Sequence, residues 1–128
     1  MAIYTQLPVY KLSYALLLDV TRTLAGTARD CRYTLGQDLR QRLMDIIVLI
    51  YRANRMRHKV KIISSMRESL LEAQVYIRMM SDMRYISEGK YAALAEQTTV
   101  ISKQMAAWEK SEREKDRDSG EPGGAACD

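Results

Sequence analysis

The stretch that decides the fold is TLGQDLRQRLMDIIVLIYRA, residues 34–53. Its apolar side chains recur at steps of three and four, which is the spacing of one helix face. The members of this stripe are Leu35, Leu39, Leu43, Ile46, Ile50 and Ala53. A second stripe on another face consists of Met44, Val48 and Tyr51. A helix that is apolar on more than one side is buried on more than one side, which predicts a helical bundle with a further contact outside it.

The same helical spacing continues through the rest of the chain, and no alternating strand pattern interrupts it. We predict four helices, over residues 8–29, 34–56, 59–85 and 87–110. The stripes of the first, third and fourth helices are Tyr10, Tyr14, Leu17, Thr21, Leu24 and Ala28; Ile63, Met66, Leu70, Ala73, Ile77 and Met80; and Tyr91, Leu94, Thr98, Ile101, Met105 and Trp108. Short connections favour antiparallel neighbours, so the predicted fold is an all-α, up-down-up-down four-helix bundle.

Three local signals place the helix boundaries. Thr34 and Gln37 have the spacing of a capping box, and Ser87 is a favourable N-cap for the fourth helix. No Gly or Pro occurs between residues 37 and 88. A single helix there would be about 78 Å long, too long for one small domain. We therefore predict a tight turn within residues 54–59.

Charge divides the chain into two unlike parts. The 128 residues carry a net charge of +4. Residues 1–110 hold 17 basic and 10 acidic groups, a net of +7, whereas residues 111–128 hold 3 basic and 6 acidic groups, a net of −3. The second part has no apolar stripe and is rich in charge and Gly, which predicts a disordered acidic tail after a bundle of residues 1–110.

The densest cationic window is RANRMRHKVK, residues 52–61. We call its cations and histidine the basic corner: Arg52, Arg55, Arg57, His58, Lys59 and Lys61. The residues that we expect to extend it are Arg67, Arg78 and Arg84. Two interpretations remain open at this point. The corner contacts a phosphate backbone, or it consists of cations favoured at a helix C-terminus and followed by a solvated turn.

Catalytic and metal-binding patterns are missing from the sequence. His58 is the single histidine, and Cys31 and Cys127 are interpreted as two incidental thiols. These are too few ligands for a zinc site, and there is neither a Glu-x-x-His pair nor a Gly-rich phosphate loop. We therefore expect no enzymatic activity, no metal and no cofactor.

Aromatic residues have two possible uses in such a chain, base stacking or packing. Four of them lie on the predicted stripes, which favours core or interface packing: Tyr10, Tyr14, Tyr91 and Trp108. Tyr33 and Tyr85 lie in connections and are freer to stack.

The longest apolar run has six residues, short of the roughly 20 that span a bilayer, and the N-terminus lacks a secretory signal pattern. We expect a cytoplasmic protein.

A set of short motifs resembles a known family. Residues 32–37, RYTLGQ, open the second helix; Ile86-Ser87 and Tyr91 open the fourth, which Met105, Trp108 and Lys110 close. The pattern resembles the small four-helix-bundle proteins related to those encoded in intervening sequences of bacterial 23S ribosomal RNA genes. Within that group it resembles most the accessory variability determinants of diversity-generating retroelements, of the type found in a Bordetella phage. The resemblance covers residues 8–110.

The resemblance implies a basic pentameric ring without catalytic residues, in the cytoplasm of a bacterial host. Such proteins bind the retroelement's reverse transcriptase and nucleic acid, template-repeat RNA or its cDNA, and are required for mutagenic retrohoming. The basic corner would then face nucleic acid or the polymerase, and Met44, Val48 and Tyr51 would supply subunit contacts. The alternative is a structural oligomerisation module without direct nucleic-acid binding, whose charge serves solubility.

Overall fold

The computed structural model describes residues 3–119. Its helices are α1 (Pro8–Ala25), α2 (Arg29–Tyr33), α3 (Leu35–Arg55), α4 (Val60–Asp82) and α5 (Glu88–Asp118), preceded by one 3-10 turn, Tyr4–Gln6. The four long helices pack in the cyclic order α1, α3, α4, α5, each against its two neighbours. Within the described residues no strand occurs, and the predicted all-α four-helix bundle is confirmed.

The core is built largely from the predicted stripes of α3, α4 and α5. The buried members of these stripes are Leu39, Leu43, Ile46, Ile50 and Ala53; Ile63, Met66, Leu70, Ala73, Ile77 and Met80; and Leu94, Thr98, Ile101 and Met105. Leu35, Tyr91 and Trp108 are half-buried and pack against this cluster. Because burying one large aliphatic side chain stabilises the fold by about 1.5–3 kcal/mol, this seam dominates the folding energy.

The predicted stripe of α1 is only partly correct. Leu24 is buried, and Tyr10 and Leu17 are half-buried and pack against the core. Thr21 is exposed, and Ala28 lies beyond the end of the helix. The buried residues are Val9, Ser13, Leu16, Val20 and Leu24. Tyr14 is 45% exposed and stacks on the half-buried Tyr10, with ring centroids 6.0 Å apart. Two apolar stripes run side by side on this helix, and the aliphatic side chains of one stripe, rather than the tyrosines of the other, fill the core.

The connection between α1 and α3 also departs from the prediction. The first helix ends at Ala25 rather than at residue 29, and the short α2 follows. The predicted capping box is wrong, because the Thr34 hydroxyl donates to the Asp30 carbonyl oxygen at 2.5 Å. Gly36 is required by close packing: a Cβ added there would lie 2.6 Å from Cδ2 of Leu24.

The other two connections agree better with the sequence. The third predicted helix is α4, which begins one residue after its predicted start at residue 59, and residues 56–59 form the predicted turn. The Ser87 hydroxyl accepts a hydrogen bond from the Lys90 amide at 3.1 Å, so the predicted N-cap is confirmed. The end of α4 differs from the prediction, because the helix stops at Asp82 and not at residue 85. Arg84 adopts a left-handed φ of 61° in the turn that follows.

The end of α5 contradicts the predicted domain boundary. The helix continues to Asp118, so the bundle does not stop at residue 110 and residues 111–118 are not a disordered tail. The cause is visible in the burial pattern: Glu109, Glu112 and Asp116 are only 8%, 4% and 4% exposed. The seam of α5 thus continues with acidic side chains in place of apolar ones. Residues 120–128 of the predicted tail lie outside the described residues.

One polar cluster ties α1 to α5 at mid-height of the bundle. Lys90 Nζ lies 3.3 Å from Oδ1 of Asp19, and the Gln97 amide donates to Oδ2 at 2.8 Å. Burial raises the pKa of Asp19, but the hydrogen bonds from Gln97 and Lys90 outweigh it and leave the pKa below its ordinary value. The ionised carboxylate is therefore the form that stabilises the fold.

The Asp19 cluster predicts an acid-sensitive part of the stability. Because the folded-state pKa is lowered, its contribution is complete above the unfolded value of about 3.9 and is lost as the pH falls through the folded value. We expect D19N to lower the free energy of unfolding at pH 7 and to flatten its decline over this acid range. Urea unfolding of both proteins at a series of pH values measures this; parallel curves would contradict it.

Burial predicts very different costs for one and the same substitution. Leu39 is 0% exposed and Leu71 is 60% exposed. L39A should lower the free energy of unfolding by about 2–5 kcal/mol, since it removes transfer energy and leaves a cavity. L71A, the matched control, should cost less than about 1 kcal/mol at a protein concentration at which the chain is monomeric. Denaturant titrations followed by circular dichroism give both values, and equal costs would show that α3 is not packed in the core.

Candidate functional site

The basic corner lies at one end of the bundle, where α3 ends and α4 begins. Arg52 and Arg55 are in the last turn of α3, and Lys61 is in the first turn of α4. These three side chains and that of Arg57 are exposed, whereas Lys59 is half-buried and donates to the Met56 carbonyl oxygen. The sequence-predicted cluster is therefore brought together on a rigid corner between two long helices.

Aromatic rings border the corner on the side of α1. The Arg55 guanidinium lies 5.5 Å from the Tyr51 ring centroid and donates to the Tyr51 hydroxyl at 2.6 Å. The edge of the Tyr4 ring packs on Tyr51, with 5.1 Å between centroids, and Tyr4 packs in turn on Tyr10. A cation placed over an aromatic face in this way is attracted by it, which holds the Arg55 head group in place.

Two residues of the predicted binding set contact acidic side chains of α5. His58 Nδ1 lies 3.1 Å from Oδ1 of Asp116, and both side chains are largely buried, at 11% and 6% exposure. Arg67 donates to Oε1 of Glu109 at 2.6 Å. His58 therefore faces inward between the turn and α5, and Arg67 keeps 43% of its side chain exposed beside its partner.

The expectation that Arg78 and Arg84 extend the basic corner is wrong. Arg78 is 18 residues from the start of α4, which is about 27 Å along the helix, and Arg84 follows the far end. Arg78 lies 3.2 Å from Asp82, whose hydrogen bond and charge raise the pKa of the guanidinium. These two arginines belong to the opposite end of the bundle.

The predicted oligomer residues lie on the outer face of α3. Met44, Val48 and Tyr51 are 46%, 41% and 41% exposed. The structure adds a second apolar row that the sequence analysis did not single out, with Leu71, Val75 and Met79 exposed at four-residue steps along α4. The four-residue spacing of this row is visible in the sequence. It is easily taken for part of the neighbouring core stripe of α4, because the two stripes are adjacent on the helix.

Nothing in the described part of the chain suggests catalysis. Residues 3–119 contain no group of three His, Cys, Asp or Glu side chains placed to hold a metal ion. Cys31 is a buried free thiol whose pKa is raised by burial, which disfavours the nucleophilic thiolate. Cys127 lies outside the described residues. No helix among residues 3–119 combines the length and apolarity needed to cross a bilayer.

Among solved structures, the fold is similar to that of a protein of unknown function from the S23 ribosomal protein family, from Bacteroides thetaiotaomicron. The TM-score is 0.72, and the match covers 80% of this chain and 95% of that chain at 12% sequence identity. A likeness at this identity concerns the fold alone. No protein-family model matches the sequence, and no curated protein matches it.

Proposed function

We propose that this chain is a non-enzymatic accessory protein of a diversity-generating retroelement. In this proposal it acts as a basic homo-oligomer, a pentamer, that binds the reverse transcriptase and template RNA or its cDNA and is needed for mutagenic retrohoming. The observation that carries the proposal is the exposed, arginine-rich basic corner at one end of a bundle that offers no metal cluster among residues 3–119. The motifs at residues 32–37 and 86–91 supply the retroelement context.

Phosphate contact is the chemistry that suits the corner best. A guanidinium is permanently charged and can bind phosphate oxygens through two parallel hydrogen bonds. Arg52, Arg55 and Lys61 project from the ends of two packed helices, so little conformational freedom of the backbone is lost when they bind. Such contacts do not read sequence, which fits a protein that must hold a template while the polymerase copies it.

The oligomer part of the proposal rests on apolar surface. Met44 and Val48 on α3 and Leu71, Val75 and Met79 on α4 leave two apolar rows uncovered in a single chain. Contiguous exposed apolar side chains mark contact sites. Because the rows lie on different helices, one row of a subunit can pack on the other row of the next, and head-to-tail contacts of that kind close into rings.

A second candidate is a structural oligomerisation module that does not bind nucleic acid directly. The observation that favours it is the internal pairing of His58 with Asp116 and of Arg67 with Glu109, which reduces the positive charge available to a ligand. The two candidates differ in one measurable property, the affinity for RNA and its dependence on salt.

Charge reversal at the corner tests the proposal. We expect R52E/R55E/K61E to abolish binding of a single-stranded RNA oligonucleotide that the wild-type protein binds. The control R29E/R32E/R40E makes the same change of net charge at the other end of the bundle and should bind like wild type. Fluorescence anisotropy between about 50 and 200 mM salt measures the affinity and, through counterion release, the number of phosphate contacts.

Two outcomes of this experiment would overturn the proposal. If the wild-type protein binds no RNA at low salt but light scattering finds an oligomer, the structural module is correct. If both triple variants lose binding equally, the contact is not localised at the corner. Pull-down of the retroelement's reverse transcriptase, with and without nuclease, then separates direct polymerase contact from an RNA bridge.

A further inference from the structure

The last turns of α5 separate their charges by sign. Residues 109–118 contain five acids and four cations, so the sequence alone makes this segment acidic. Three of the acids are buried: Glu109, Glu112 and Asp116. All four cations are exposed: Lys110, Arg113, Lys115 and Arg117. The outer surface of this segment therefore presents four cations beside the exposed acids Glu114 and Asp118, and it is basic.

Helical spacing explains this separation. Glu109, Glu112 and Asp116 follow steps of three and four, so they lie on the face that packs into the bundle. Lys110, Arg113 and Arg117 follow the same steps displaced by one residue, which places them together on a neighbouring face, about 100° around the helix. Each inward acid is thus followed by an outward cation.

Glu109 joins this cationic face to α4. Its Oε1 lies 2.6 Å from Arg67 and its Oε2 lies 3.5 Å from Arg113, while its own side chain is 11% exposed. The side chains of Arg67 and Arg113 remain 43% and 59% exposed. One buried carboxylate therefore holds two accessible arginines side by side, and the trio keeps a net charge of +1.

We propose that Arg67, Lys110 and Arg113 form a phosphate-binding site on the face shared by α4 and α5, which takes the backbone of single-stranded nucleic acid. The proposal rests on the proposed function and assigns a new part of the binding surface. Glu109 positions the two arginines, and Lys110 adds a third cation one residue along α5.

The location of the site supports a polynucleotide rather than a single small anion. Arg67 lies two turns into α4, and Lys61 of the basic corner lies in the first turn of the same helix. Lys61 and Arg67 lie about 120° apart around α4, so the exposed cations are spread around this end of the bundle, from the corner across α4 to the end of α5. Cations distributed over several helical turns suit a chain of phosphates, whose counterions are released on binding.

Neutralising the α5 cations tests the site. We expect K110Q/R113Q to weaken binding of single-stranded RNA. The negative slope of log affinity against log salt should become shallower by about 1.4, since each lost contact is worth about 0.7 for a single strand. The control R29Q/R40Q removes the same charge at the other end of the bundle and should keep the wild-type slope. K110Q/R117Q provides a second test pair that leaves Arg113 with Glu109.

The outcomes separate this site from the proposed function. If wild type binds RNA and K110Q/R113Q folds but keeps the wild-type slope, the site is wrong while the function stands. If K110Q/R113Q does not fold, an unchanged slope in K110Q/R117Q overturns the site. If wild type binds no RNA, the proposed function fails with it. Loss of reverse-transcriptase pull-down without any change in RNA affinity would assign these cations to a protein partner and also overturn the site.

Discussion

Burial of three carboxylates on one seam of α5 constrains the basic end of the bundle more than any other feature. A buried carboxylate is tolerated only when cations or hydrogen-bond donors surround it. Two of the partners come from other elements, His58 from the turn between α3 and α4 and Arg67 from α4. Glu112 pairs with Lys115 of α5 itself. The position of the α3–α4 turn, the length of α5 and the charge of the surface thus depend on one another.

This dependence changes the meaning of the net charge. The sequence divides into a basic body and an acidic tail. In the folded chain, however, three acidic side chains of residues 109–118 are buried in the bundle, and the cations of the same segment are exposed. The acids do not screen the basic corner from a distance; they order its inner side. The exposed arginines and lysines at this end come from α3, the turn at residues 56–59, α4 and α5.

The fold could be predicted from the sequence where burial follows apolarity. The stripes of α3 and α4, the turn at residues 56–59 and the Ser87 cap all follow from spacing and local chemistry. The prediction for α1 is partly wrong because two apolar rows run side by side on this helix, and the row of Val9, Ser13 and Leu16 is the buried one. The predicted end of α5 is wrong because the apolar stripe stops at Trp108, whereas the helix continues on buried acidic side chains. After Gly89, no Gly or Pro occurs until residue 120.

The candidate site was predictable only in part. The window at residues 52–61 marked the corner, but sequence spacing could not tell that His58 turns inward or that α4 carries Arg78 to the far end. The sequence does not single out Lys110, Arg113 and Arg117 as a basic surface, because their segment has a net negative charge. Burial decides which charges a partner meets, and burial of an acid by a distant cation is a tertiary fact.

Amide hydrogen exchange of residues 109–118 tests this account most directly. Local stability measured by exchange reports whether the last turns of α5 are packed or frayed. We expect slow exchange at the buried residues Glu112 and Asp116, comparable to that of Ile101 and Met105 in the core of the same helix. Exchange at the rate of an unstructured chain from residue 111 onward would contradict it.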